Sequence, residues 1–251
     1  MDKKLKLVTY NLRNGLKAEH LVKNISKMAA QGANLFCFQE FRKFEDKPFI
    51  GDILDKHFKD HWGLEAFLHE DTFGLGLCVM WKKAEFDLIR ADKFLLPKIA
   101  KLRKSVKVLE KVFLDRPLPV QRGAIIADFH TGHHLMRIVN VHLDWIGGTT
   151  HKAIQIKRLV EHLETKPRVH YEVVCGDFNT VGPLGLMKKR RDKILGAIES
   201  NFIDVSSKLR LTSYSLQKLD HIFCRGFKTT KAKRLLLMGS DHLPIWAKFD
   251  F

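Results

Sequence analysis

Cysteine is scarce, four in 251 residues, and the four show no C-x-x-C pair and no zinc-type spacing. Cys37, Cys78, Cys175 and Cys224 each lie inside an apolar, strand-like run. That setting predicts reduced, buried, small hydrophobes and argues against a disulfide framework or a structural zinc. Proline is rare too, at seven residues, and no Pro/Gly/Ser-rich linker or exact internal repeat interrupts the chain. Low-complexity scaffolding and collagen-like repeats are thereby excluded. No apolar run approaches the roughly 20 residues that span a bilayer, and Met1-Asp2-Lys3-Lys4 leads into a strand-like segment without a signal-peptide core. The expectation is a cytoplasmic monomer with no transmembrane segment, folded as one domain over residues 1–251.

Acid is the other shortage. Asp plus Glu number 28 against 44 Lys plus Arg, a net charge of +16, more than solubility requires. Such an excess concentrates polyanions at the surface, so nucleic acid, anionic phospholipid and phosphorylated small molecules are the natural partners.

What is present is 45% apolar sequence in alternating strand and helix patterns. Leu5 to Asn11 reads as a strand. Leu21, Val22, Ile25, Met28 and Ala29 recur at helical spacing, and Leu35 to Gln39 resumes a strand after Gly32, a β-α-β opening. Further strands are predicted at Trp62 to Leu68, Leu75 to Trp81, Phe86 to Leu96, Gly123 to Phe129 and Leu135 to His142, with antiparallel hairpins among them. Thr149 or Thr150 is placed to cap a helix with Ile156, Leu159, Val160 and Leu163 on one face, before Val173 to Cys175 returns to the sheet. The class is α/β.

Two basic runs stand out. Lys98, Lys101, Arg103, Lys104, Lys107 and Lys111 alternate with apolar residues as one solvated helix face would. Lys188, Lys189, Arg190 and Arg191 follow closely on the chemistry-bearing segment below, which makes Lys188, Lys189 and Arg190 candidate phosphate contacts.

Four apolar strands end in acidic, amide or imidazole groups: Val8-Thr9-Tyr10-Asn11, Phe36-Cys37-Phe38-Gln39-Glu40, Val139-Asn140-Val141-His142 and Val173-Val174-Cys175-Gly176-Asp177-Phe178-Asn179. α/β sheets deliver functional groups to one edge in this way. Leu219-Asp220-His221 and Ser240-Asp241-His242-Leu243-Pro244 add to the set. Oxygen donors with few cysteines favour Mg²⁺ or Mn²⁺, and Glu40 is the leading ligand candidate. If the strand persists, Asp177 and Asn179 share a face, one able to accept a proton and the other to hold a phosphate oxygen or a water.

The ordered set T-Y-N, Q-E, V-H-L-D, G-D-F-N, L-D-H and S-D-H-L-P-I resembles the endonuclease/exonuclease/phosphatase superfamily over nearly the full length. The resemblance implies a four-layer α/β/β/α sandwich of two packed mixed sheets and a metal-dependent phosphoester hydrolase using in-line water attack. Carried over, Glu40 matches the main metal ligand, with Asn11 beside it and Asp241 in or just outside the coordination shell. Asp177 matches the residue that orients or deprotonates the attacking water, and Asn179 one that binds it or the phosphate. His142 matches a donor to a phosphoryl oxygen. His242 matches the histidine at the scissile phosphate, with Asp220 fixing its tautomer and favouring its cationic form. Whether Asp177 or the His242/Asp220 pair is the general base, and whether one or two metals act, stay open. Arg122, before a central strand, is a candidate phosphate contact.

Two departures bear on substrate. Trp81, Lys82 and Lys83 follow a strand where many relatives carry a small or basic residue, and the stretch from Asn179 to Asp220 is short beside apurinic endonucleases. The leading reading is a nuclease acting on DNA or RNA. The alternatives are a phospholipid or inositol-phosphate hydrolase, for which an exposed apolar loop beside the site would speak, and a noncatalytic binding module of the same fold.

Overall fold

Alternating apolar and polar residues along Leu5, Lys6, Leu7 and along Ala247, Lys248, Phe249 give strands with one face for a core and one for another layer. A computed structural model describes residues 4–43, 48–70, 75–99, 121–180 and 188–251. Its first sheet contains β1 (Lys4–Asn11), β2 (Leu35–Gln39), β3 (Trp62–Glu70), β4 (Leu75–Lys82), β11 (Thr229–Arg234) and β12 (Ile245–Asp250), in the order β11-β12-β1-β2-β4-β3. Its second contains β5 (Asp87–Leu95), β6 (Gly123–Thr131), β7 (His134–His142), β8 (Tyr171–Asp177), β9 (Ile203–Asp204) and β10 (Asp220–Arg225), in the order β5-β6-β7-β8-β10-β9. Both sheets are mixed: β1 runs parallel to β2 and β7 parallel to β8, while the other pairings are antiparallel.

The inner faces meet in one core, with Leu5, Leu7, Leu35, Leu77 and Val79 opposite Ile125, Ile138, Val173 and Ile222. Helices α1 (Ala18–Ala30) and α2 (Ile50–Phe58) cover Val8, Tyr10, Phe36 and Phe38 on the outside of the first sheet. Helices α3 (Gly148–Glu164) and α4 (Lys188–Glu199) cover Ala124, Val139 and Val174 on the outside of the second. The result is the four-layer α/β/β/α sandwich. All four cysteines are free and buried, as their apolar settings predict.

Two sequence readings change, and a third is not tested. The cap of α3 is Gly147, with φ 86°, and no side chain caps the helix. The chain leaves β7 through a left-handed turn that a β-branched threonine does not adopt, so Thr149 and Thr150 fall inside the first turn. Trp81 is a core residue packed edge-on against Phe129, and it pairs with Leu35, at the opposite end of β2 from Gln39. That places it at the end of β2 away from the site. The first basic run, apart from Lys98, falls outside the described residues. No helix among the described residues is long and apolar enough to cross a membrane.

Candidate active site

Strand register assembles the site. β7, β8 and β10 lie side by side with His142 opposite Asp177 and Asp177 opposite Asp220, one row at the sheet end. In the first sheet Asn11 is opposite Gln39, and Glu40 follows one residue beyond β2. The two ends converge on Asp177, whose Oδ2 accepts the Asn11 amide at 3.0 Å. His142 Nε2 stands 3.4 Å and His242 Nε2 3.8 Å from that same oxygen.

The loop before β12 brings in His242. Ser240 Oγ donates to the Asn11 carbonyl at 2.7 Å and accepts the His242 N–H at 3.1 Å, which locks the loop onto β1. Asp220 receives His242 Nδ1 at 2.9 Å. Burial alone would strip the proton from His242, but the carboxylates of Asp220 and Asp177 outweigh it and push the pKa up to about 10. Burial also raises Asp177, and the Asp220 and Glu40 carboxylates add to it against His242, so Asp177 sits at about 7.

Asp177, Asp220 and His242 hold their potential donor atoms within 4.8 Å of one another. The trio could hold a metal ion with His242 neutral; in the charged form that the two facing carboxylates favour, the imidazole has no lone pair to offer. The donor set on the Glu40 side does fit a hard divalent cation. It consists of the Glu40 and Asp241 carboxylates and the Asn11 amide oxygen, which accepts the Arg13 N–H at 2.9 Å; the Glu40 carboxylate also adds to the effect of burial in raising Asp177, a repulsion a cation relieves. Glu40 is half-buried at φ 52°, a left-handed conformation that costs about 1–3 kcal/mol and concentrates at functional sites. Asp241 is exposed, with Arg13 Nε 3.8 Å away.

Asn179 departs from the expected strand face. β8 ends at Asp177, whose Oδ1 accepts the Asn179 N–H at 2.9 Å, and Asn179 turns to φ 49°. This Asx-type turn pulls the chain out of the sheet. The Asn179 amide donates to the Leu143 carbonyl at 3.0 Å, and its own carbonyl accepts Lys152 Nζ at 2.7 Å. Lys152 escaped sequence reasoning. It is 4% exposed, and burial lowers it to about 8 against the pull of Asp177 and Asp144. Its signal was a lysine at helical spacing from Ile156 and Leu159, inside an apolar stripe.

Arg122 is 2% exposed and committed to protein partners: Nη1 lies 3.2 Å from His142 Nδ1 and Nε 3.6 Å from Asp144. Arginine only donates, so His142 Nδ1 accepts and the ring proton sits on Nε2, facing Asp177. Asp144 is held in turn by His151 and Gln155. Lys188, Lys189 and Arg190 are exposed in the first turn of α4, where cations oppose the helix dipole.

Beside Asp241, two loops are knit together by Tyr214 N–H to the Asp241 carbonyl at 2.8 Å and Tyr214 hydroxyl to the Leu237 carbonyl at 3.4 Å. They carry exposed Tyr214, Leu216, Leu236 and Met238, the last two 74% and 69% exposed. Leu216 is at φ 58°.

No protein-family model and no curated sequence matches the chain. Solved structures do. An endonuclease/exonuclease/phosphatase family protein from Leptotrichia buccalis superposes with a TM-score of 0.75 at 15% identity, covering 98% of this chain and 100% of that one. D. rerio TDP2 complexed with a single-strand DNA product gives 0.74 at 14% identity, with 100% of both chains covered. The Bacteroides thetaiotaomicron mannosyl-6-phosphatase gives 0.67 at 16%, covering 98% of this chain and 100% of that one. By this likeness the chain carries the endonuclease/exonuclease/phosphatase fold, with no closer subfamily singled out.

Proposed function

We propose that the chain is a Mg²⁺- or Mn²⁺-dependent phosphodiester hydrolase, and that its substrate is DNA or RNA. One observation carries the reading: the ends of both sheets converge on the buried Asp177 carboxylate, which accepts the Asn11 amide and stands beside His142 and an Asp220-bound His242, a setting that pushes Asp177 up to about 7 and His242 up to about 10. Titratable neighbours pushed apart in this sense supply a base and an acid at the same pH. Glu40 and Asn11 would hold the cation, with Asp241 at its margin, and the cation when bound supplies charge stabilisation at the phosphoryl oxygens. Asp177 accepts the proton of the attacking water, and Asn179 helps to orient that water or the phosphate. Charged His242 donates to a phosphoryl oxygen that gains charge during attack, and Asp220 keeps it charged and oriented. His142, its proton fixed on Nε2, donates to a second such oxygen once substrate separates it from Asp177. Arg122 acts as a positioning residue behind His142. Lys188, Lys189 and Arg190 steer a polyanion from outside.

The +16 charge supports nucleic acid as the substrate class. A second reading, hydrolysis of phospholipid or inositol phosphate, is favoured by the exposed apolar loops at Tyr214, Leu216, Leu236 and Met238. A panel of single- and double-stranded DNA, RNA, sphingomyelin and inositol phosphates, each with Mg²⁺ or Mn²⁺, separates the two. Turnover of the oligonucleotides that is lost in Asp177→Ala supports the nuclease. Turnover confined to the lipid or inositol substrates overturns it in favour of the second reading, and none on any substrate leaves a noncatalytic binding module.

A further inference from the structure

We propose that the uncovered end of the outer face of the first sheet is a second anion-binding site, built to hold the phosphate backbone of a nucleic-acid strand. The choice of occupant rests on the nuclease reading; the site itself rests on strand register. Lys6 on β1 is directly opposite Lys248 on β12, and Lys248 is directly opposite Lys231 on β11. The row continues on the other side, where Asn34 N–H donates to the Lys6 carbonyl and Lys82 N–H to the Asn34 carbonyl, both at 3.0 Å. Leu5, Leu7, Ala247 and Phe249 face the inter-sheet core, so the alternating lysines face outward.

Like charges directly opposite on neighbouring strands destabilise a sheet, and strands are only about 4.8 Å apart. The local carboxylates do not cancel the charge. Asp250 pairs with Lys4 at 2.9 Å, and Glu85 sits 3.5 Å from Lys82 while accepting the Asn34 amide at 2.6 Å. Among the described residues Lys6, Lys231 and Lys248 have no ion-pair partner. Edge protection explains lysine on β11, the outermost strand, but not on β12 or β1, which are interior. The C-terminal end of α1 favours a single cation at most, Lys6, whose Nζ would lie 2.8 Å from a Cβ at Gly32.

The lysines line two hollows of about 280 and 250 Å³, the first shared by Lys4, Lys6, Asn34 and Lys82 with Glu85, the second by Lys4, Lys6, Lys231 and Lys248 with Asp250, so each holds more cations than carboxylates. From Lys231 to Lys82 the row crosses four strand spacings, roughly 19 Å. A single phosphate needs one or two such ammonium groups; a row of this length matches a chain of phosphates. Lys6 and Asn11 are separated along β1 by about 17 Å, so the row anchors a part of the polymer remote from the bond being cut.

The test uses Lys6→Gln/Lys231→Gln/Lys248→Gln and the single Lys248→Glu. Binding is measured in an Asp177→Ala background with a 30-nucleotide single strand across a salt series, and turnover in the otherwise native chain with bis(p-nitrophenyl) phosphate. Loss of three contacts is expected to flatten the slope of log affinity against log salt by about 2 and to weaken binding at least about tenfold. Melting temperature is expected to stay level or rise as repulsion is relieved, and turnover of the small diester to stay unchanged. An unchanged slope and affinity in both variants overturns the proposal, as does a fall in melting temperature that accounts for the lost binding. Loss of binding to phosphatidylserine vesicles with oligonucleotide binding intact also overturns it, in favour of a lipid surface. A native chain that hydrolyses neither the small diester nor the 30-nucleotide strand, with the slope change still seen in the Asp177→Ala background, sinks the hydrolase reading and leaves this site standing.

Discussion

Asp220 lies directly opposite Asp177 in the antiparallel register of β10 and β8, and the imidazole of His242, delivered from the other sheet, reaches both carboxylates. Two acids this close disfavour joint ionisation unless a cation stands between them, and His242 is that cation. Burial and the Asp220 carboxylate push Asp177 up while His242 holds it down, which leaves it at about 7, able to take a proton from water and lose it again.

Removing one of these charges has a readable sign. In Asp220→Asn the largest of the charges that oppose burial is removed, so His242 deprotonates below its native value of about 10. Asp177 loses a repelling neighbour and falls from about 7. Both limbs of the pH-rate profile are expected to move to lower pH. An alkaline limb that stays in place would show that His242 is not the acid.

Arg122 contacts His142, and in the proposed mechanism it acts through that ring, so its loss should appear in turnover and not in affinity. Arg122→Met is expected to lower kcat by about 10²-fold with KM nearly unchanged, because the His142 tautomer is no longer imposed. A raised KM with kcat preserved would instead mark Arg122 as a phosphate contact.

Gly176 tests the local backbone. It has φ 142°, and a Cβ there would sit 1.9 Å from the Val141 carbonyl oxygen. Gly176→Ala is expected to cost on the order of 4 kcal/mol in chemical denaturation. A variant within 1 kcal/mol of the native chain would contradict the close approach of β7 and β8.

Much of this arrangement was legible before any coordinates. Apolar runs ending in Asn11, Glu40, His142 and Asp177 announced strands delivering polar groups to one edge, and the strand limits fall within two or three residues of those expected. Register was not legible. That Asp220 faces Asp177, or that Lys6, Lys248 and Lys231 align, depends on pairings between distant segments that no local pattern encodes. The shared face of Asp177 and Asn179 required the strand to persist, and strand periodicity carries no sign that the Asp177 carboxylate will bend the chain by accepting the Asn179 N–H. Arg122 and Lys152 look like surface charges because composition cannot reveal that a helix or strand will bury them. The period-two pattern of Ile245, Ala247 and Phe249 was present, but no strand was expected there; it forms β12, which carries Lys248 and follows the His242 loop.

Stability should also fall on one side of the pH scale. Burial works against the charge of Asp204, but His221, Lys218 and Ser206 outweigh it and hold the carboxyl well below the usual range. A depressed carboxylate contributes stability above its unfolded pKa, about 3.9, and loses it as pH drops toward the folded value. Burial lowers His221 as well, which carries the same sign. The urea midpoint is expected to begin declining below about pH 6.5 through His221 and to decline more steeply below about pH 4 through Asp204, and Asp204→Asn to be less stable at neutral pH by roughly 1–3 kcal/mol with a shallower decline below pH 4. An acid decline as steep in the variant as in the native chain would remove Asp204 from its cause.

The most direct measurement is turnover of a phosphodiester by the native chain and by Asp177→Ala, with Mg²⁺, with a chelator, and with Mg²⁺ restored in excess. The native chain is expected to be active only with the metal and to recover when it returns, while Asp177→Ala loses about 10²- to 10⁴-fold. Equal turnover by the variant, or native turnover that survives chelation, would contradict metal-dependent hydrolysis centred on Asp177.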